Sequence, residues 1–156
     1  MCRQLLPVAM FFSSGETDEQ TIERDMSEAL RGELGIPGPV LIRSQSELEA
    51  LLAARPFGNR THGQTTYLSV TFFADRMKKT ELNLPGAEIV HLTTRELCIV
   101  TNTEKNPGSD VMRALQKAYG KHITTRTWRT VERILKKVKE TNHPPEKATN
   151  HKGVKQ

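Results

Sequence analysis

Apolar residues in this chain come in two spacings, short unbroken runs and once-per-turn stripes, and their alternation marks out the elements. Residues 8–13 (VAMFFS) read as a short buried strand. Thr17-Asp18-Glu19-Gln20 is a capping-box pattern, and Ile22, Met26, Leu30 and Leu34 follow at nearly one per turn, which predicts an amphipathic helix stopped by Gly35. Residues 40–43 (VLIR) predict a second short strand. Ser44-Gln45-Ser46-Glu47 is another capping box, opening a helix lined by Leu48, Leu51 and Leu52 and bounded by Pro56.

A polar stretch, residues 58–65, separates this part from the next. Residues 67–73 (YLSVTFF) are rich in β-formers and predict a strand, with a short helix over 75–82. Residues 88–93 and 97–101 predict two strands joined by a tight turn near Thr94-Arg95-Glu96. Asn106-Pro107-Gly108 breaks the chain, Ser109 can cap, and Met112, Leu115 and Tyr119 share one helix face ended by Gly120. Residues 122–125 predict a last short strand, and Trp128, Val131, Ile134, Leu135 and Val138 form a helical stripe. From 141 to 156 the chain has almost nothing to bury and reads as a disordered basic tail.

The order from 67 to 125 is β-α-β-β-α-β, followed by a helix. That order predicts an α+β fold: a ferredoxin-like plait over 66–140, with two helices on one face of an antiparallel sheet. Residues 1–57, running β-α-β-α, predict a partial plait, joined to the other by the loop 58–65.

Charge changes the picture more than composition does. The net charge of +5 is uneven: residues 1–78 carry 8 Lys+Arg against 10 Asp+Glu, residues 79–156 carry 15 against 8. Between Arg113 and Lys139 nine basic residues meet one acid, Glu132. At helical spacing Arg129, Arg133, Lys136 and Lys137 share one quadrant, opposite the stripe that starts at Trp128. Such a face suits phosphates or an acidic partner, although a solvated helix face is the commoner meaning of the pattern. Arg126, expected at the helix start near free backbone N–H groups, is a further anion-binding candidate. Trp128, Val131, Ile134 and Leu135 are read as core.

Other chemistry is thin. The five His are scattered without metal-ligand spacing, and neither a phosphate-cradling Gly loop nor a Cys-x-x-Cys pair is present. No catalytic residue, metal or cofactor is expected. Cys98 lies mid-strand, where a free Cys is usually a small buried hydrophobe. The longest apolar run, residues 8–12, is far below the ~20 residues of a membrane span. With no signal peptide and only Cys2 and Cys98, a cytoplasmic setting is the default. Tyr67, Phe72 and Phe73 lack the stacking motif of RNA-binding plaits, and alternation turns Phe72 and Phe73 to opposite faces.

Several segments together resemble one known family. Thr124, Thr125, Arg126, Trp128, Thr130 and Val131 match a Thr-Thr-Arg-Asn-Trp-Asn-Thr-Val stretch. Arg43-Ser44, Glu47-Leu48 and Arg55-Pro56-Phe57 match an Arg-Ser…Glu-Leu…Asn-Pro-Phe stretch, and Val70-Thr71-Phe72 a Val-Thr-Phe strand. The chain thus resembles domain-of-unknown-function family 1697 from about residue 10 to 138. The resemblance implies a pair of small ferredoxin-like units. It also implies a front strand and an Arg-Gly-Ile-Asn-Val-Gly-Gly loop that are missing here, so the chain is read as an N-terminally truncated member. Without the front strand, residues 8–13 and 40–43 lose a shared neighbour, and an open edge invites self-association. The function expected is that of a small binding module for an anionic partner, nucleic acid or a phosphate-bearing ligand. The alternatives are a degenerate or mis-started copy without activity of its own, and a small-molecule enzyme.

Overall fold

The computed structural model describes residues 18–38, 40–74, 82–84, 86–105 and 109–142. Helix α1 spans Glu19–Leu34. Its N-cap is Asp18, whose carboxylate accepts from Thr21 N at 3.2 Å; Thr17, the capping residue expected, lies outside the described residues. Gly35 at φ 63° closes the helix, and Ile36 N donates to Leu30 O at 3.0 Å, a turn that glycine makes without a Cβ penalty. The predicted stripe is only partly covered: α1 buries no residue, and Leu34 is 65% exposed.

Residues 40–43 do not form the expected strand. At Ile42, side chains satisfy both backbone groups. Ile42 N donates to Glu23 Oε1 at 2.8 Å, and Ile42 O accepts from Arg43 Nη1 at 2.6 Å and Arg95 Nη2 at 3.3 Å. An apolar run this short becomes a strand only where a ladder partner exists. The strand expected at 8–13 lies outside the described residues.

Helix α2, Gln45–Ala53, opens on the predicted capping box with both halves made: Glu47 N donates to Ser44 Oγ at 3.2 Å and Ser44 N to Glu47 Oε2 at 2.8 Å. After it the chain turns sharply. Arg55 takes φ 45°, a left-handed conformation that is costly for a residue with a Cβ. The turn delivers Phe57 into the core, 4% exposed.

The sheet has four strands: β1 (Thr66–Phe73), β2 (Ala87–Leu92), β3 (Glu96–Asn102) and β4 (Ile123–Thr127). Their order is β2-β3-β1-β4, with every neighbouring pair antiparallel. Hydrogen-bonding parity follows from the register. Phe73 N donates to Arg95 O at 2.9 Å, so alternate residues back from Phe73 bond toward β3. Ala74 N donates to His122 O at 3.1 Å, so Phe72 and Val70 bond toward β4, opposite Thr124 and Arg126. β2 is one edge, with a register shift between Ile89 and His91; β4 is the other.

Helices α3 (Ser109–Tyr119) and α4 (Trp128–Asn142) complete the fold. On one face Phe73, Leu97, Ile99 and Ile123 pack with Val111, Leu115 and Tyr119 of α3. On the other, Leu68, Val70, Phe72 and Cys98 pack with Leu48 and Leu51 of α2, Phe57, and Val131 and Leu135 of α4. Both faces are therefore covered, a correction to the helices-on-one-face expectation. The cause lies in β1, which is buried from Leu68 to Phe73 although it reads as half polar. Thr71 can be buried because its hydroxyl meets that of Thr125 across the ladder at 2.8 Å. Phe72 (8% exposed) and Phe73 (0%) are both in the core, so neither sheet face offers stacked aromatics to a base.

Smaller shifts follow local chemistry. β4 runs to Thr127, past the predicted end at 125, and passes directly into α4, whose first turn Thr127 caps: Thr130 N donates to Thr127 Oγ1 at 3.2 Å. α4 continues to Asn142, into the stretch expected to be tail, and residues 143–156 lie outside the described residues, as do 75–81 of the expected short helix. Among the described residues no helix is long and apolar enough to cross a membrane.

The left-handed residue before Pro56 generates a prediction. Asn tolerates this conformation better than Arg, and among the described residues the side-chain hydrogen bond Arg55 makes is a long one to Asn59 at 3.4 Å. Arg55→Asn should raise unfolding free energy by roughly 0.5–1 kcal/mol. Urea denaturation followed by circular dichroism measures it; an unchanged or lower midpoint refutes the strain at Arg55.

Candidate functional site

The basic residues singled out in the sequence separate into three environments. Arg129, Arg133 and Lys136 are exposed on α4 and, with Glu132, line one shallow surface depression. Lys137 is also exposed but reaches Glu140 on the next turn at 3.5 Å, and Lys139 bridges to Glu49 of α2 at 3.2 Å. Glu132 and Glu140 thus interrupt the face at two of its turns. Trp128 meets Phe57 edge-on at 5.1 Å; Val131 and Leu135 are 1% and 3% exposed, and Ile134 packs against the same cluster.

Arg126 is not at the helix start. It lies within β4, opposite Val70, half-buried, and its Nη1 donates to Thr125 O at 2.9 Å. Burial lowers its pKa from the usual arginine value. No carboxylate pairs with it among the described residues.

A second charged group was not visible as a unit in the sequence. Arg43 donates through Nη2 to Phe73 O at 2.6 Å and Arg95 O at 2.9 Å, and its guanidinium lies 5.4 Å from the Phe72 ring centre. At this rung of the ladder Arg95 N is turned to Thr93 Oγ1, at 3.0 Å, so it does not serve Phe73 O. Arg43 supplies the missing donor. Arg95 in turn places Nη2 3.1 Å from Glu19 Oε2 and 3.2 Å from Glu47 Oε1. One β2–β3 turn residue therefore holds the start of α1, the 40–43 segment and the start of α2.

The electrostatics fit this use. Burial is the main cause that lowers the pKa of Arg43, with Arg95 adding to it and Glu47, Glu96 and Glu23 opposing. Glu47 is pushed up by burial, but the Ser44 backbone N–H and Arg95 outweigh this and leave it below the usual carboxylate range. The bonded Nη donors of Arg43 and Arg95 go to carbonyls and carboxylates of the chain itself, so this group ties elements together and is not an open anion receptor. The sequence signal was the Arg43-Ser44…Glu47 pattern; Arg95, read only as a turn residue, carried none.

Cys98 is fully buried, and burial followed by Glu96 pushes its pKa to about 12. A thiol so poised is not a nucleophile. Among the described residues no group of three or more His, Cys, Asp or Glu is disposed to hold a metal ion.

A family model described as protein of unknown function (DUF1697) matches residues 9–97, more than half of the chain. The chain belongs to this family. No curated protein and no solved structure is significantly similar to it. The part shared with the DUF1697 family contains Arg43, Glu47 and Arg95, together with α2, β1 and β2. The matched residues end before α3, β4 and the basic face of α4.

Two variants test the charged tie. Arg43→Ala leaves Phe73 O without its side-chain donor and should cost roughly 2–4 kcal/mol in urea unfolding, while Arg129→Ala should stay within about 0.5 kcal/mol. Glu47, with its folded pKa lowered, adds stability at neutral pH that is lost as pH falls below about 4. Melting temperature should therefore fall more steeply from pH 6 to 3 in the parent than in Glu47→Gln, and parallel curves would refute the role given to Glu47.

Proposed function

We propose that this protein is a small binding module for an anionic, nucleic-acid or phosphate-bearing partner, engaged through the exposed face of α4. The observation that carries the reading is the convergence of Arg129, Arg133 and Lys136 on one depression that has Glu132 as its single carboxylate. Guanidinium and ammonium groups held by a helix backbone track regularly spaced phosphates and need no base contacts. Both sheet faces are closed by core, so stacking of bases on the sheet, the usual mode of RNA-binding plaits, is not part of this reading. The strand order β2-β3-β1-β4 supports taking the sheet as a ferredoxin-like plait, and the position of α4 as an added helix on one of its faces agrees with that view.

The reading is tested by titrating a labelled single-stranded oligonucleotide, and separately heparin, at low salt. Binding should weaken linearly with the logarithm of salt concentration, with a slope of about −2 for three cations on a single strand. The triple variant Arg129→Glu, Arg133→Glu, Lys136→Glu should reduce affinity at least about tenfold with an unchanged melting curve. Absence of any shift at low salt removes the proposal.

A further inference from the structure

The two edges of the sheet differ. β2 carries a register shift at its Ile89–His91 step, an irregularity that discourages pairing with another strand. β4 is regular and contains neither Pro nor an acid. By the parity of the β1–β4 ladder, Thr124 and Arg126 bond inward to β1. Ile123 and Thr125 then direct their N–H and C=O groups away from the sheet, as Thr127 does its N–H, while the Thr127 C=O is taken by the first turn of α4. One of these outward carbonyls, Thr125 O, is already taken by the Arg126 guanidinium of the same strand. Among the described residues this edge is thus covered in part by a side chain of the same strand.

The surroundings of this edge are predominantly positive. Residues 120–131 contain Lys121, Arg126 and Arg129 and no acid. At the start of β4 lies a groove of about 530 Å³ whose lining includes Arg24, Arg31, Lys121 and His122, against Glu23 as its one carboxylate. Arg24 is paired with Asp25 at 3.1 Å; no carboxylate partner is seen for Arg31, Lys121 or Arg126 among the described residues.

We infer that the outer edge of β4 takes up an extended, acidic polypeptide segment as an added strand, with Arg126 released from Thr125 O to a carboxylate of the incoming chain. The main-chain bonds to Ile123, Thr125 and the Thr127 N–H would supply affinity, and the flanking cations would select acidic side chains. The inference goes beyond the α4 reading: it adds a second site, the β4 edge, with an acidic peptide as partner and strand addition as the mode. A second copy of this chain fits less well, because pairing β4 with its own copy brings like charges together.

The test uses the full chain and a short fluorescent peptide of alternating Glu and Val, with two further versions methylated on the Glu amides or on the Val amides. Only one set of amides can face β4, so one methylated peptide should bind at least about tenfold more weakly and the other nearly as well as the parent. Thr125→Pro removes an outward N–H and leaves the backbone bonds to β1 in place, but it also removes the hydroxyl that meets Thr71; it should give the same loss at a lowered melting temperature while heparin affinity holds. Should Thr125→Pro unfold the chain, the methylated pair alone decides. Equal binding, or equal loss, of the two methylated peptides overturns strand addition and leaves the α4 reading standing. Loss of heparin binding to the parent protein with the peptide asymmetry intact has the opposite effect. Dimerisation abolished by Thr125→Pro, without peptide binding, overturns the inference in favour of self-pairing.

Discussion

Everything in this fold is arranged around β1, a strand buried on both faces and bonded on both edges. Its backbone divides cleanly: residues alternating from Phe73 bond to β3, and Phe72 and Val70 bond to β4. Its side chains divide the same way, with Leu68, Val70 and Phe72 in one core and Phe73 in the other. Such a strand accepts no unsatisfied group, and this constraint reaches the residues around it. Thr71 is matched by the hydroxyl of Thr125. Where the ladder runs out at Phe73, a side chain from outside the sheet, Arg43, completes it.

That last contact links the sheet to the N-terminal helices. Arg43 and Arg95 stand close together in a partly buried place, which on electrostatic grounds alone is unfavourable. The arrangement holds because Glu47 and Glu19 lie beside Arg95, and because backbone carbonyls accept from both guanidinium groups. The same carboxylate of Glu47 finishes the capping box of α2. Removing one partner of such a group is more disruptive than its individual bond lengths suggest. The Arg43–Arg95–Glu47 group lies in the part shared with the DUF1697 family, and the exposed Arg129, Arg133 and Lys136 lie beyond it, on α4.

Much of the fold was legible in the sequence because its signals are local. The capping box at Ser44–Glu47, the stop at Gly35 and the stripe from Trp128 to Leu135 each depend on residues within two turns of one another. The candidate site was legible only in outline. The sequence placed Arg129, Arg133 and Lys136 together, since helical spacing fixes which residues share a face. It did not show that Arg126 serves Thr125 O, because whether a side chain reaches solvent or its own backbone depends on strand boundaries.

Apart from residues 40–43, the sequence by itself determined the described elements, their order and the sign of the charge on each. Tertiary structure alone decided which of them pair. Residues 40–43 have the composition of a strand, yet side chains from α1 and the β2–β3 turn occupy the backbone groups of Ile42. β1 has the alternation of a half-exposed strand, yet both of its faces are covered, since a buried hydroxyl costs little once it is hydrogen-bonded. The Arg43–Arg95–Glu47 tie joins residues up to 52 positions apart, a distance over which no local pattern carries information. Composition fixes what a segment can do; the free energy of satisfying most buried donors and acceptors at once, with Arg43 Nε, Arg95 Nε and the Tyr119 hydroxyl left over, fixes what it does.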